Sequence, residues 1–483
     1  MDLTWGTALL IPLVIYTLSI GAYLVLENRS PQSTFAWILL LLVFPIGGLV
    51  IYGLFGRSWH AFSRGKILTK LMRGSELADR SGKLISEQHA KIEALAEGPH
   101  GDFARLATML WASSGSPLTL FNRLEILQDA REKYPRLLAD LREAKQSIHL
   151  LYYEWASDPF TEEVGRLLGE KVRQGVEVRI LYDPVGSFWM LSNRYVRWMR
   201  GMGIRMFPFA PIYLLHTLSY RNHRKLAVID GRIAYSGGLN MTEKHLTGPD
   251  GFSGWRDTHT RVSGEAALVI QAVFATMWYN TTGENVFQDD YFPEIEERGP
   301  QLPIQVVSAG PDSEWKAIRQ SYLAMIGLAR HHIYLQSPFL ILDDSLSETL
   351  KSAALSGIDV QLMIAPRGGE WSPAYRAGMT YAADMARAGV AVLMYQGEYF
   401  HAKTACVDSA ICSIGSANMD IRSFSINYET NLVIYDAGVA GELEADFKRD
   451  LEKCVPFTVA DYKSRPLISR FVDSTMRLCS PLI

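Results

Sequence analysis

The sequence predicts an α/β protein built twice over: two tandem lobes, each a mixed sheet flanked by helices, behind a transmembrane pair of apolar helices. Three observations predict it. Two uncharged runs of 22 and 21 residues, Trp5 to Leu26 and Phe35 to Phe55, open the chain. Beyond them, β-rich runs alternate with helical stretches. The second half then repeats the order of the first, including the pattern His-x-Lys-x4-Asp-x6-Gly-(Gly or Ser)-x-Asn, which starts at His223 and again at His401.

At ~1.5 Å per residue each apolar run can cross a ~30 Å hydrocarbon layer as a helix. Residues 1–56 are therefore expected to form a transmembrane hairpin, with Trp5, Trp37, Tyr52 and Trp59 near the interfaces. Pro45, Gly47 and Gly48 are tolerable in a span covered by a neighbouring helix. No Lys or Arg precedes the first run and no small-residue cleavage site follows it, so it does not read as a signal peptide. Seven basic residues, Arg57, Arg64, Lys66, Lys70, Arg73, Arg80 and Lys83, follow the second run, against Arg29 alone in the short loop. The positive-inside rule places both termini, and everything after residue 56, in the cytoplasm.

Residues 57–117 read as a juxtamembrane helical connector. The repeat follows. Ala144-Lys-Gln-Ser-Ile148 returns as Ala329-Arg-His-His-Ile333, and the run Gly175 to Pro184 returns in pattern as Gly357 to Pro366. Gly203-Ile-Arg-Met matches Gly389-Val-Ala-Val. With the two histidine motifs these make four markers in one order at offsets of 178 to 186 residues, the signature of a duplicated unit. Lobe one is expected over 118–297, lobe two over 303–483, with Arg298-Gly-Pro-Gln-Leu-Pro303 as linker.

Because a strand turns alternate side chains to one face, His223 and Lys225 project together, as do His401 and Lys403. Asp230 and Asp408 precede Gly231 and Ser409, which suits a tight hairpin turn, so structural work there is expected of them more than proton transfer. The Gly-Gly and Gly-Ser pairs permit close backbone approach, and Asn240 and Asn418 offer amide donors. Two lobes closing face to face would gather two His, two Lys and two Asn in one pocket. Such a pocket suits a phosphodiester, with positive charge and donors for its oxygens, one imidazole to attack and one to move the proton.

The net charge of −3, in a composition 48% hydrophobic and 20% charged, lacks the basic excess of a general nucleic-acid binder. Cys406, Cys412, Cys454 and Cys479 show no C-x-x-C spacing, and neither a zinc site nor a disulfide framework is expected.

The paired His-x-Lys-x4-Asp motif resembles that of the phospholipase D superfamily. Asn418-Met-Asp-Ile-Arg-Ser-Phe-Ser-Ile-Asn-Tyr-Glu429, Trp255-Arg-Asp-Thr-His259, Ser308-Ala-Gly-Pro-Asp312 and the N-terminal Arg29-Ser-Pro-Gln-Ser33 with Ala36-Trp37 are similar to its bacterial cardiolipin synthase branch. The resemblance implies two phospholipase D-like lobes and a metal-independent, cofactor-free transfer of a phosphatidyl group. Phosphatidylglycerol would be both donor and acceptor, and the enzyme would work at the inner membrane. The catalytic set it implies is His223, Lys225, Asp230, His401, Lys403 and Asp408, with His223 attacking phosphorus. Asn240 and Asn418 would bind the phosphate, and Asp257 and Glu429, outside the motif, would each orient a histidine. A hydrolase releasing phosphatidic acid would use the same residues, and a homo-oligomer is left open. Ser337-Pro-Phe-Leu-Ile-Leu-Asp343 and Pro366-Arg-Gly-Gly-Glu370 depart from the branch pattern. Two further stretches suit a lipid surface: Phe207 to His216, and Arg465 to Ile483.

Overall fold

The computed structural model describes residues 5–27, 31–52, 82, 85–99, 101–210, 219–295, 299–365 and 372–480, with a few side chains near the N-terminus left out. The basic residues from Arg57 to Lys83, most of the apolar stretch before the first motif, part of the expected linker and the Pro366–Glu370 loop lie outside these.

Seven strands form the first sheet, in the spatial order Asn122–Gln128, Thr258–Gly264, Ile233–Gly237, Lys225–Ile229, Ser147–Tyr152, Glu177–Tyr182, Arg205–Pro208. The last three run parallel and the others antiparallel. The second sheet repeats this order with Ile304–Ala309, Glu429–Ile434, Ile411–Gly415, Thr404–Val407, His332–Ser337, Asp359–Ile364 and Ala391–Tyr395. Its parallel trio is again the run that ends the order. The duplication seen as spaced sequence markers is thus a duplication of topology. One strand is added at each edge, Leu118–Thr119 and Cys454–Phe457, making nine.

Local chemistry sets the helix ends. Asp158 caps the helix Pro159–Arg173 in a capping box with Thr161, and Pro159 starts it at the one position where a missing N–H costs nothing. The sheets are joined by a core drawn from both. Leu226, Val228, Phe274 and Trp278 of the first lobe pack with Ile414, Leu432 and Ile434 of the second, all buried. Burial on this scale, at ~25 cal/mol per Å² of apolar surface, makes the lobes one body.

Two expectations are corrected. The connector packs on the second lobe, with Ile92, Leu95, Leu106 and Leu110 in that lobe's core, and Leu118–Thr119, expected in lobe one, pairs with Ile304–Gln305 at the edge of the second sheet. The second apolar run is not one straight span either. It is two helices, Pro31–Val43 and Pro45–Ile51, broken at Phe44, whose φ of −129° and ψ of 73° leave the helical region as residues before proline tend to do. The chain doubles back there. Trp37 and Tyr52 would be ~22 Å apart on a straight helix, yet their rings meet edge-on at 5.1 Å. A Cβ on Gly48 would lie 3.0 Å from the Leu40 carbonyl oxygen, a tight contact, so the close approach favours glycine. The first run is a single helix, Trp5–Leu26, and its Leu24 packs with Leu41 and Tyr52. Among the described residues no helix is long and apolar enough to cross a membrane.

Candidate active site

Each histidine motif builds one hairpin. Lys225–Ile229 and Ile233–Gly237 are joined through Asp230 and Gly231, at φ of 53° and 64°, closed by Arg232 N–H to the Ile229 carbonyl at 3.0 Å. In the second lobe Asp408 and Ser409, at φ of 54° and 52°, do the same. Two successive left-handed residues match the twist of a tight hairpin. The aspartate carboxylates accept three backbone N–H groups each: Asp230 from Lys145, Gln146 and Ser147 at 2.8, 2.8 and 2.9 Å, and Asp408 from Arg330, His331 and His332 at 2.6, 2.8 and 2.8 Å. They clamp the turn to the start of the central strand. That explains why Ala144–Ser147 and Ala329–His332 recur with the motif. Seven residues of extended chain, roughly 20 Å, separate each aspartate from its histidine, so Asp230 and Asp408 do not join the site, a correction to the catalytic set.

At the other end of the hairpins the lobes exchange parts. Asn222 bridges to Tyr428, His223 N–H donates to the Tyr428 carbonyl at 3.0 Å, and Tyr428 N–H donates to Arg221 at 2.9 Å. This register sets Glu429 against His223, whose Nδ1 lies 2.9 and 3.1 Å from the two carboxylate oxygens. The mirror arrangement holds on the other side. Tyr399–Phe400 pairs in parallel with Trp255–Arg256, His401 N–H donates to the Arg256 carbonyl at 2.8 Å, and His401 Nδ1 lies 2.7 Å from Asp257 Oδ2. Each histidine is therefore held by the carboxylate of the opposite lobe. With Nδ1 engaged, Nε2 is left for chemistry.

Both lysines are buried. Lys225 Nζ donates to the His223 carbonyl at 2.6 Å; Lys403 Nζ donates to the His401 carbonyl and sits 2.8 Å from His401 Nδ1. Burial pushes both ammonium groups below their ordinary range, Lys403 to about 8. Burial also lowers both histidines, but the strongest neighbour differs. At His223 it is Glu429, which favours the proton, while at His401 it is Lys403, which opposes it and helps bring the imidazole down to about 3. Both carboxylates are held below their ordinary range despite burial: Asp257 chiefly by Lys403 and His401, Glu429 chiefly by His223. Asn240 Oδ1 accepts from Glu154 N–H at 3.1 Å. Asn418 is buried, and its Oδ1 has no partner among the described residues. Among those residues no cluster of His, Cys, Asp or Glu is arranged to hold a metal ion.

The glycines are fitted to this exchange. A Cβ on Gly238 would fall on the Asp257 carboxylate. The equivalent residue, Ser416, instead donates its hydroxyl to Glu429 Oε2 at 2.5 Å. Sequence reasoning gave Ser416 only a part in close backbone approach, not this hydrogen bond to the carboxylate. Four other residues had no role assigned from the sequence. Trp255 donates Nε1 to Asp257 at 3.4 Å and sets its ring 5.0 Å from that of His401, and Tyr153 packs edge-on to His223 at 4.8 Å. Arg224 and Arg256, next to a motif histidine and an orienting carboxylate, are buried ties between lobes: Arg224 donates to Thr430 at 2.9 Å and Arg256 to Asp450 at 3.0 Å.

A family model described as cardiolipin synthase, PLD-like domain, matches residues 137–278 and 322–451. The chain belongs to this family of the phospholipase D superfamily. A second model, phospholipase D-nuclease N-terminal, matches residues 8–57. Relatives include the cardiolipin synthase of Geobacillus kaustophilus (strain HTA426), 37% identical over 471 residues, covering 95% of this chain and 90% of that protein. The cardiolipin synthase of Listeria welshimeri serovar 6b is 37% identical over 489 residues, covering 98% and 99%. Among solved structures, phosphatidylserine synthase from Haemophilus influenzae Rd KW20 matches with a TM-score of 0.59 at 11% identity, over 78% of this chain and 100% of that one. At that identity the likeness is one of fold.

Proposed function

We propose that this chain transfers a phosphatidyl group from one phosphatidylglycerol to another, giving cardiolipin and glycerol through a phosphatidyl-histidine. The observation that carries the reading is the exchange of carboxylates: Glu429 on His223 and Asp257 on His401 join two imidazoles from two lobes in one buried site. His223 Nε2 attacks phosphorus as the bond to the glycerol oxygen breaks, and His401 gives that oxygen its proton. His401 then takes the proton of a hydroxyl on the second phosphatidylglycerol. The freed oxygen attacks phosphorus and releases His223. The bond made replaces one of the same kind, so no nucleotide is consumed.

The neighbours of Nδ1 support this division of labour. Glu429 favours positive charge on His223, as a ring forming a bond to phosphorus requires. Lys403, 2.8 Å from His401 Nδ1, makes that imidazole a weaker base and, once protonated, a stronger acid. Lys225 and Lys403, with Asn240 and Asn418, supply charge and donors for the phosphoryl oxygens. The apolar N-terminal segment is the anchor to the bacterial inner membrane in this reading. The basic residues from Arg57 to Lys83 keep the lobes on the cytoplasmic side.

The test is direct. Purified chain given phosphatidylglycerol alone should yield cardiolipin and glycerol, and a labelled lipid adduct should map to the peptide bearing His223. Phosphatidic acid as the main product would make the protein a hydrolase. An adduct on His401 would reverse the roles.

A further inference from the structure

The last helix, Leu467–Leu478, is turned against the usual order of a protein surface, in which the apolar stripe faces inward. Its inward face is mainly polar, with Met476 alone of its apolar side chains packed against the second lobe's core among the described residues. Asp473, fully buried, accepts from Arg376 at 3.2 Å and Arg465 at 3.1 Å. Arg477 reaches Asp384 at 2.6 Å, and Tyr381 donates to Ser480 at 3.1 Å. The outward face is largely apolar: Leu467, Ile468, Phe471 and Leu478 are 79, 74, 70 and 83% exposed, with Ser474 and Thr475 the exposed polar residues between them. Polar ties fix the rotation of the helix, so the apolar face cannot turn in.

Its place in the fold is informative. The pairs Arg376–Asp473 and Tyr381–Ser480 set it parallel to the helix Pro373–Arg387, with its first turn beside the start of that helix. That start follows the carboxyl end of the strand Asp359–Ile364. The neighbouring strand ends at the same edge, where Gln336 pairs with Thr404 beside Lys403. In lobe one, Phe188 and Trp189, 55 and 92% exposed, follow the carboxyl end of Glu177–Tyr182 at the corresponding edge. The helix and its approach carry Lys463, Arg465, Arg470 and Arg477 against Asp461 and Asp473, a local positive excess in a chain of net charge −3.

We propose that Leu467–Leu478 is an interfacial membrane contact, its apolar face seated at the headgroup–acyl boundary of a bilayer containing anionic phospholipid. At ~18 Å the helix is too short to span a ~30 Å hydrocarbon layer, so it lies in the plane of the surface. It holds the site-bearing edge against the lipid, and the local positive charge makes the contact depend on anionic lipid. The choice of a bilayer as occupant rests on the phospholipid substrate proposed above and on this charge; the test separates the two readings.

The test uses the full chain in vesicles, with Cys454→Ser and Cys479→Ser to remove the partly exposed thiols and a nitroxide on Phe471→Cys. Collision with dissolved oxygen against a water-soluble nickel chelate reports depth. In phosphatidylcholine vesicles containing phosphatidylglycerol the label should favour oxygen; in phosphatidylcholine alone it should move toward the chelate. A label at the exposed Glu452 should read water in both. Chelate-accessible Phe471→Cys in the anionic vesicles overturns the proposal. So does spin–spin broadening that grows with protein concentration in detergent, the mark of a second copy on this face. Cardiolipin formation with a water-exposed label would sink the docking surface alone, whereas an immersed label without cardiolipin would sink the activity alone.

Discussion

Replacing Glu429 by glutamine tests the exchange between lobes most directly, because it removes a charge while nearly keeping a shape. The carboxylate is fully buried, 2.9 and 3.1 Å from His223 Nδ1, and takes the Ser416 hydroxyl on its other side. In the proposed mechanism the ring gains positive charge as Nε2 bonds to phosphorus. At an effective dielectric of ~20, a full charge at this separation is worth ~5 kcal/mol, and spreading it over the ring leaves roughly 3 kcal/mol. Glutamine retains an acceptor but no charge, so about that much transition-state stabilisation is lost, or about 100-fold in rate. The assay is cardiolipin formation by the full chain in mixed micelles, with rapid-quench measurement of the lipid adduct and a thermal melt to show that the fold survives. The expected result is a kcat lower by about 100-fold, with adduct formation the slowed step. Wild-type turnover in a folded Glu429→Gln protein would refute the role of the carboxylate. Normal adduct formation followed by slow product release would refute His223 as the attacking residue.

Four other outcomes are expected. His223→Ala and His401→Ala should each abolish cardiolipin formation while the protein still partitions into membranes, which flotation reads. Gly238→Ala should displace the Asp257 carboxylate and lower kcat by about 100-fold or more, as loss of a positioned proton donor does; an unaltered rate would show that the close approach is not needed. Asp230→Ala removes the acceptor for three backbone N–H groups and should cost about 2 kcal/mol in a denaturant melt, whereas a rate loss per folded molecule comparable to that of His223→Ala would return this residue to the catalytic set. Finally, Lys403 sits at about 8 in the folded protein against an ordinary 10.5. Between those values the unfolded chain binds the proton that the folded chain lacks, so this group's contribution to stability rises with pH across the window and is lost as pH falls through about 8. Affinity for an anionic headgroup should run the other way, with KM rising above about pH 8 as the ammonium is lost; a flat KM to about pH 10 would contradict it.

Much of this was legible in the sequence because it is written locally. Alternation along a strand sets His and Lys side by side, and the Asp-Gly and Asp-Ser turns follow from the residues able to take left-handed φ. The recurrence of four markers in order exposed a repeat whose two sheets share one strand order. What stayed hidden depends on residues far apart in sequence. Nothing within either motif says that Glu429 serves His223 and Asp257 serves His401; that follows from the parallel pairing of Tyr399–Phe400 with Trp255–Arg256 and from the bridge between Asn222 and Tyr428. The packing of the connector on the second lobe stayed hidden for the same reason, since Leu106 and Leu110 meet Val307 and Ile318 only in the folded core. The break at Phe44 was foreshadowed by Pro45, but hydropathy counts a proline among apolar neighbours without counting its missing N–H.

A duplicated frame creates a problem that the side chains solve. Two histidines in equivalent backbone positions would have equal proton affinities, and equal groups cannot divide into one that attacks and one that carries the proton. Here the frames match and their occupants do not. Glutamate stands where the other lobe has aspartate, Ser416 stands where it has Gly238, and of two lysines that each donate to their own histidine's carbonyl it is Lys403 that also approaches a histidine Nδ1. Each difference weighs more on one ring than on the other, although Lys403 also opposes the proton on His223 and Lys225 that on His401. The longer Glu429 reaches His223 with both oxygens, so that ring's strongest neighbour favours positive charge, while the ammonium beside His401 opposes it. Exchanging the two acids, with Asp257→Glu and Glu429→Asp together, tests whether side-chain length carries this asymmetry. If it does, the double variant should form its lipid adduct more slowly than either the wild type or the Asp257→Glu protein. If the lysine carries it, the exchange should leave adduct formation on the His223 peptide at its wild-type rate.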